Sequence, residues 1–418
     1  NRGVYTRGLG ADELTYGRGS PVFDLITPSH VVSEVISDAP GYVNGIYDAD
    51  NTVSVSYKYH GYRAQSGGRG SLGFERITTY DPVSAVTTET LYQQDFPYTG
   101  MPKATISYLG EPQTDALADD GTTTIVASQR LGYARNTNAF HRLHGNSVYF
   151  PYLQQSEETQ YSLNDAGTAT TTISTVNTTN VYEVKSDNHT NLKTVTAITK
   201  DSAGVEVSKV ITGNIYNDDS VDNWWLGRVS ETTVTHHRAD AYPAKDITRT
   251  TEFSYDADSG LLTTEITAPG LDNQLTTLHC YDSWGNETAA ITHTNVGVIS
   301  CDSKNITTDD DITKVFRRKV YSYDDNGRYL TQKGNDLFAA MERVESRNSL
   351  GLPTKTIDIN GVVTNIGYDS FGKQYFTSNS LGQMSKTVHS YSTIGPAISH
   401  TKFVETTTGA GQATVIQY

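Results

Sequence analysis

The chain has 418 residues, enough for two or three ordinary domains or for one large repetitive one. Its formal charge of −15 argues against a nucleic-acid or anionic-membrane partner, because both partners attract basic surfaces. The sequence has no apolar stretch of about eighteen residues, so we expect no transmembrane helix.

The composition favours strands over helices, since 27 Tyr and 11 Phe stand against 3 Met. In chain order, residues 31–35 and 52–63 alternate apolar and polar side chains, the period of a half-buried strand. Residues 67–73 are rich in glycine but lack the Gly-Lys-Ser/Thr ending of a phosphate-binding loop. We therefore interpret them as a tight bend between strands.

The following segment is predicted to contain two strands and a loop. Strand candidates are centred on residues 92–97 and 105–109. Residues 111–121 are polar and contain Gly and Pro, so they are predicted to form an exposed loop.

Residues 122–212 are predicted to form a meander of antiparallel strands, beginning with 122–126. Thr, Val and Ile alternate along this segment, and hairpin turns are predicted at 164–167 and 201–204. Trp224 and Trp225 follow it and are candidates for binding aromatics.

A motif of a Tyr-Asp pair with a Gly three or four residues after the Asp recurs in the last part of the chain. Its four copies contain Tyr255, Asp256 and Gly260; Tyr281, Asp282 and Gly285; Tyr323, Asp324 and Gly327; and Tyr368, Asp369 and Gly372. Weaker half-copies occupy 348–351, 358–361 and 379–382. Repetition at this scale predicts stacked supersecondary units, and the uneven spacing indicates a loose repeat.

Each copy predicts a strand, a turn and a return strand. Asp can bond its own backbone two residues on and so start a turn, and Gly supplies the positive φ that closes a type I turn plus bulge. Tyr suits the strand before the turn. Residues 336–344 have helix-compatible spacing, and the sequence leaves open whether a short helix forms there.

The two cysteines, Cys280 and Cys301, allow two interpretations. They can form one disulfide closing a loop of about 20 residues, as suits a secreted protein, or they can be two separate buried thiols.

No residue pattern predicts a catalytic, cofactor or metal site. His141 and His144 point to opposite faces if they lie on a strand, as do His236 and His237. The acidic run 309–311 lacks the spaced ligands and glycine of a calcium loop, so we expect a solvated loop. A Tyr- and His-based lyase or hydrolase site remains open, since sequence spacing does not reveal sites assembled in three dimensions.

The Tyr-Asp motif resembles the YD repeats of the RHS family. The order of segments 68–74, 92–102 and 225–228, followed by the YD units, is similar to the shell-forming region of the B component of Tc-type toxin complexes and related virulence proteins. The resemblance covers nearly the whole chain. The self-cleaving Asp-Pro-x-Gly core of such proteins is absent, since Asp81-Pro82 is followed by Val83-Ser84.

The resemblance implies an all-β fold in which a long antiparallel YD-repeat sheet curls into part of a hollow shell. Residues 1–245 would form its less regular part and 246–418 its YD part, in one continuous sheet. The function implied is structural: a wall segment of a secreted container that encapsulates a toxic polypeptide, assembled with further segments or chains. Since the chain lacks an initiator Met and a signal peptide at Asn1, we expect it to be part of a longer polypeptide.

Two alternatives belong to other functional classes. The first is an extracellular binding or adhesion module that recognises glycans or cell surfaces, with Trp224 and Trp225 as its contacts. The second is a polysaccharide-active enzyme.

Overall fold

The structure is a computed structural model that describes residues 5–6, 22–25, 31–39, 41–43, 46–48, 51–66, 69–114, 116–118, 120–164, 166–185, 189–217, 224–238, 245–294, 300–301, 316–335, 341–391, 400–408 and 412–417. The chain divides into two compact units, residues 1–249 and 250–418. Regular structure in both is almost entirely strand, with a 3₁₀ turn at Ala127–Gln129. The all-β prediction is confirmed. Within the described residues, no helix has the length and apolar character needed to span a bilayer.

The first unit is an antiparallel meander. Its strands are β1 (Tyr5–Thr6), β2 (Val22–Asp24), β3 (Glu34–Asp38), β4 (Gly41–Val43), β5 (Ile46–Asp48), β6 (Thr52–Gln65), β7 (Gly70–Asp81), β8 (Val86–Tyr92), β9 (Pro102–Leu109), β10 (Arg130–Leu143), β11 (Val148–Leu163), β12 (Ala169–Val184), β13 (Thr190–Lys200), β14 (Glu206–Asn217) and β15 (Arg228–Arg238). From β6 to β15 each strand pairs antiparallel with the next. The short strands β1, β2 and β3 share the other edge of β6, and β4 pairs with β5.

The second unit continues the same pattern. Strand β16 (Lys245–Tyr255) crosses the unit boundary and is followed by β17 (Leu262–Thr267), β18 (Leu275–Tyr281), β19 (Glu287–Thr294), β20 (Phe316–Tyr323), β21 (Leu330–Asn335), β22 (Glu342–Arg347), β23 (Pro353–Asp358), β24 (Val363–Tyr368), β25 (Gln374–Asn379), β26 (Met384–Tyr391), β27 (His400–Thr408) and β28 (Gln412–Gln417). Each of these strands pairs antiparallel with the next. The prediction of a long antiparallel sheet built of hairpins is therefore confirmed.

Most described strands have half-buried side chains on both faces along their whole length, and β14, β17 and β23 are examples. An antiparallel sheet with one covered face alternates between buried and exposed side chains instead. Strands β8 and β9 do show this alternation. Over most of the described strands the sheet is therefore one layer thick.

The covering over β8 and β9 overturns two expectations. Residues 111–121 were expected to form an exposed loop, yet Ala116 and Leu117 are fully buried. Residues 122–126 were expected to form a strand, yet they contain only an isolated bridge from Thr123 to Leu117, and Ile125 is 1 % exposed. Ala116, Leu117 and Ile125 pack with Leu91 and Ile106 in the larger apolar cluster. The prediction was wrong because three apolar side chains in a polar segment suffice to anchor it to a sheet.

Other element boundaries also differ between the sequence prediction and the structure. The strand expected around 92–97 ends at Tyr92 and begins at Val86, and the one expected at 31–35 begins at Glu34. Residues 342–347 form β22, so the end of the helix-compatible stretch is strand, and 336–340 lie outside the described residues. The acidic run 309–311 also lies outside them. Of the predicted 67–73 bend, residues 67–68 lie outside the described residues, and Gly70 and Gly73, with positive φ values of 70° and 79°, lie in the first residues of β7.

Candidate functional site

Each Tyr-Asp pair ends one strand of the second unit and begins the turn to the next. Asp369 Oδ1 accepts hydrogen bonds from the backbone N–H groups of Phe371 (2.9 Å) and Lys373 (2.8 Å). The backbone closes the same turn, since Gly372 N–H donates to Asp369 O at 3.0 Å. Gly372 has a φ of 78°, which glycine adopts without steric cost. The local sequence thus builds a type I turn followed by a bulge.

The other turns repeat this arrangement. Asp282 Oδ1 accepts the N–H groups of Trp284 and Asn286, each at 2.9 Å. The half-copies do the same with either acceptor type, Asp or Asn; their first residues are Asn348, Asp358 and Asn379. An amide oxygen therefore replaces the carboxylate without changing the turn.

The turns at Asp256 and Asp324 are one residue longer. Asp324 Oδ1 accepts the N–H groups of Arg328 (2.6 Å) and Tyr329 (2.8 Å). Hydrogen bonding to the backbone of Tyr329 lowers the pKa of Asp324, and bonding to the backbone of Ser259 lowers the pKa of Asp256. Both carboxylates are therefore held in the charged form that serves as the acceptor.

Five turns lie at the same end of the strands of the second unit's sheet, because every second connection of a meander returns to that end. We refer to this end of the strands as an edge that carries turns. We call the five turns the turn row: 256–260, 282–285, 324–327, 348–351 and 369–372. In each step a side chain of one turn packs onto the glycine of the next. The contacts are Leu261 on Gly285, Trp284 on Gly327, Tyr329 on Gly351, and Leu352 on Gly372.

The tyrosines of the motif add a second kind of link between neighbouring strands. Tyr281 Oη donates to Leu262 O at 2.8 Å, and Tyr368 Oη donates to Pro353 O at 3.0 Å. Leu262 lies two residues after Gly260, the glycine of the turn that precedes Tyr281 on this edge. Pro353 lies two residues after Gly351, the glycine of the half-copy that precedes Tyr368. The Tyr-Asp pair thus joins a turn to the strand before it.

The structure pairs Cys280 with Cys301 in a disulfide, with 5.7 Å between the Cα atoms. Of the two interpretations that the sequence left open, the disulfide is therefore the one found in the structure. The bond attaches the connection between β19 and β20 to strand β18.

The two tryptophans differ in environment. Trp224 is 74 % exposed and has a φ of 57°, an unusual conformation for a bulky side chain. Trp225 is half-buried, and the Arg228 guanidinium lies 4.8 Å from its ring centroid. Only Trp224 is accessible enough to serve as a contact for a ligand.

The two histidine pairs singled out in the sequence make separate contacts. His141 stacks on Tyr152 with 5.0 Å between centroids, while His144 lies in the turn that follows β10. His237 contacts Asp246, and His236 pairs with Val210 across the strands. Among the described residues, no three His, Cys, Asp or Glu side chains form a metal-ligand group.

Two polar networks escaped the sequence analysis. Arg76 and Glu89 are 6 % and 2 % exposed, and both bond the backbone of Leu117, at 2.9 Å each. The sequence does contain one signal of this network. Glu89 is a charged residue at a position of β8 that faces inward, between the inward-facing Thr87 and Leu91. This network fastens the 111–126 segment to the sheet.

The second network surrounds Arg63 at the edge of the first unit. Its guanidinium contacts Asp24 Oδ1 (3.2 Å), Gln94 Oε1 (2.6 Å) and Glu75 Oε2 (3.4 Å). It joins β2, β6 and β7, so its role is to hold the edge strand in place.

No family model and no curated protein matches the sequence. Solved structures similar to the chain include TcdB2-TccC3 without its hypervariable C-terminal region, with a TM-score of 0.49 and 9 % identity over 82 % of this chain and 22 % of that one. Another TcdB2-TccC3 structure gives 0.22 and 12 % over 87 % and 20 %, respectively. The Photorhabdus luminescens Tc holotoxin pore gives 0.20 and 11 % over 96 % and 25 %. The chain spans a quarter or less of these proteins, and similarities of this strength establish neither a shared fold nor a function.

Proposed function

We propose that the chain is a wall segment of a secreted, Tc-type container that encloses a toxic polypeptide. The observation that carries the proposal is the sheet itself, because neither face of strands such as β14, β17 and β23 is fully buried. A self-sufficient domain buries at least one face of its sheet against a second layer. A sheet without that layer suits a wall, which separates an interior from an exterior.

The wall would act by sequestration, without covalent chemistry of its own. Consecutive hydrogen-bonded strands leave no gap for a protease, and the turn row keeps neighbouring strands in register. Strand β3 pairs with β6, and its Val35 and Ile36 are 46 % and 62 % exposed. Exposed apolar edge strands promote aggregation, so the proposal includes a further segment of the container that covers this edge.

The test is native mass spectrometry of the assembly purified from its own source, followed by the denatured mass of each component. We expect this sequence to occur in a much larger polypeptide or complex that also holds an enclosed chain resistant to added protease. A particle of 45.7 kDa, the mass of this chain alone, would rule out the container.

A second candidate is a binding module, which the exposed and conformationally unusual Trp224 favours. Retention on immobilised glycans or on cells, lost with Trp224→Ala and kept with Trp225→Ala, would support it. The enzyme alternative requires turnover of a polysaccharide that single Tyr or His substitutions abolish.

A further inference from the structure

The two faces of the second unit's sheet differ in chemistry. Strand register places Leu278 opposite Ile291, Ala289 opposite Val320, and Ile357 opposite Val363. We call this side the apolar face; its members are Ile266, Leu278, Cys280, Ala289, Ile291, Val320, Ile357, Val363 and Phe376. The threonine face lies opposite and carries Thr263, Thr267, Thr277, Thr292, Thr331, Thr354, Thr356, Thr364 and Thr377.

Several hydroxyls of the threonine face, those of Thr263, Thr277, Thr292, Thr331 and Thr354, have partners within the sheet. Thr277 and Thr292 bond each other at 3.0 Å, and Thr354 bonds Ser346 at 2.7 Å. Side chains with hydroxyl groups can face water without a loss of stability. This face is the more polar of the two, although Leu275 and Ile366 also lie on it, opposite Thr267 and Thr377.

Cys301, which belongs to no strand, lies against the apolar face. Cys301 is bonded to Cys280, and its carbonyl accepts a hydrogen bond from Arg318 Nη2 at 3.2 Å. Arg318 is paired with Ile291, so Cys301 lies over strand β19. In this neighbourhood Cys280, Ala289 and Ile291 are only 5 %, 2 % and 0 % exposed.

Away from Cys301 the apolar face is incompletely covered. Ile266, Ile357, Val363 and Phe376 are half-buried, in contrast to the buried Cys280, Ala289 and Ile291. The sheet thus buries its apolar side chains around Cys301 and leaves the others partly open to solvent. Half-open apolar surface on a sheet gains stability from burial by any apolar chain that lies against it.

Charge on the apolar face narrows the chemistry of its occupant. Among the side chains that the structure describes on this face, the basic Arg318, Arg343, Lys355 and Lys386 outnumber the acidic Glu252 and Glu345, although the whole chain carries −15. Glu345 is ion-paired with both Arg343 and Lys355, so the excess of positive charge comes from Arg318 and Lys386. The complementary partner is an apolar polypeptide that also carries acidic side chains.

We infer that the apolar face is the inner face of the wall, and that it binds non-regular stretches of the enclosed polypeptide through their apolar and acidic side chains. The inference rests on the proposed container function and adds which face meets the cargo. The threonine face is then the exterior.

Neighbouring residues of one strand offer a matched test, because they point to opposite faces. The photo-crosslinking residue p-benzoylphenylalanine replaces Ile357 or Phe376 on the apolar face, and Thr356 or Thr377 on the threonine face, one at a time. The substitutions are made in the complete container with its cargo, and the far-UV circular dichroism of each variant verifies that the sheet is intact. After irradiation, the covalent partner is identified by mass spectrometry.

We expect crosslinks to the enclosed polypeptide from positions 357 and 376 and their loss at 356 and 377. Cargo crosslinks from the threonine face alone, or equally from both faces, would overturn the face assignment and leave the container standing. Crosslinks from the apolar face to another wall segment would overturn the choice of occupant. A container preparation without any enclosed chain would overturn the proposed function itself.

Discussion

The packing of Trp284 on Gly327 offers the sharpest test of the turn row. Gly327 and Gly361 both have positive φ values, 63° and 77°. A Cβ on Gly361 meets nothing within 4 Å, whereas a Cβ on Gly327 would lie 2.6 Å from Trp284 Cγ and 3.0 Å from Trp284 Cβ. Both glycines thus need a positive φ, but only Gly327 also lacks space for a Cβ.

The free energies of unfolding should separate these requirements. Gly361→Ala places an L-residue in the left-handed region and should cost about 1–2 kcal/mol. Gly327→Ala adds the overlap with Trp284, and forced overpacking of this kind costs about 1–3 kcal/mol more. The overlap includes Trp284 Cβ, so rotation of the ring alone does not relieve it.

Urea unfolding followed by far-UV circular dichroism measures both variants against the unaltered protein. Trp284→Ala then completes a double-mutant cycle with Gly327→Ala, and we expect a coupling free energy of about 1–3 kcal/mol. Trp284 is 69 % exposed, so its truncation alone should cost little. Equal losses for Gly327→Ala and Gly361→Ala, or no relief in the double variant, would refute the stacking of one turn on the next.

Three further predictions concern separate contacts. Asp324→Ala removes the acceptor of two backbone N–H groups and should lower the urea midpoint of unfolding, while Asp324→Asn should lower it far less at neutral pH, because an amide oxygen can accept the same bonds. Because the folded-state pKa of Asp324 lies below its unfolded value of about 3.9, its charge contributes fully above that pH and is lost as the pH falls through the folded value; Asp324→Asn should lack this acid-dependent loss, and an unchanged pH profile would contradict the assignment. Alkylation under denaturing conditions should modify neither Cys280 nor Cys301 before reduction and both after it, and Cys280→Ser with Cys301→Ser should cost about 3 kcal/mol; modification without reduction would show that the bond is absent. Arg76→Met leaves Glu89 buried without its ion pair and should cost about 3–5 kcal/mol, whereas Arg76→Met with Glu89→Leu should recover much of that loss; a double variant less stable than Arg76→Met would contradict the buried pair.

The turns could be predicted from the sequence because their bonds are local. An Asp or Asn, a Gly three or four residues later and alternating strands on either side determine each hairpin without help from distant residues. The same locality explains why Thr- and Tyr-rich alternation was sufficient to predict an all-β chain. Strand boundaries shifted by a few residues, as at Val86, because pairing with neighbours decides where a strand begins.

Burial and faces, by contrast, depend on residues that are distant in sequence, and only the tertiary structure decided them. The segment containing Leu117 looks like a solvent-exposed loop until strands β7 to β9 supply an apolar surface and the buried Arg76 and Glu89 bind its backbone. Trp284 meets Gly327 across about 40 residues, since every second turn returns to the same edge. Hydrogen bonds within a turn are local, but which side chains share a face depends on the register of many strands, and a single shift in register exchanges the two faces.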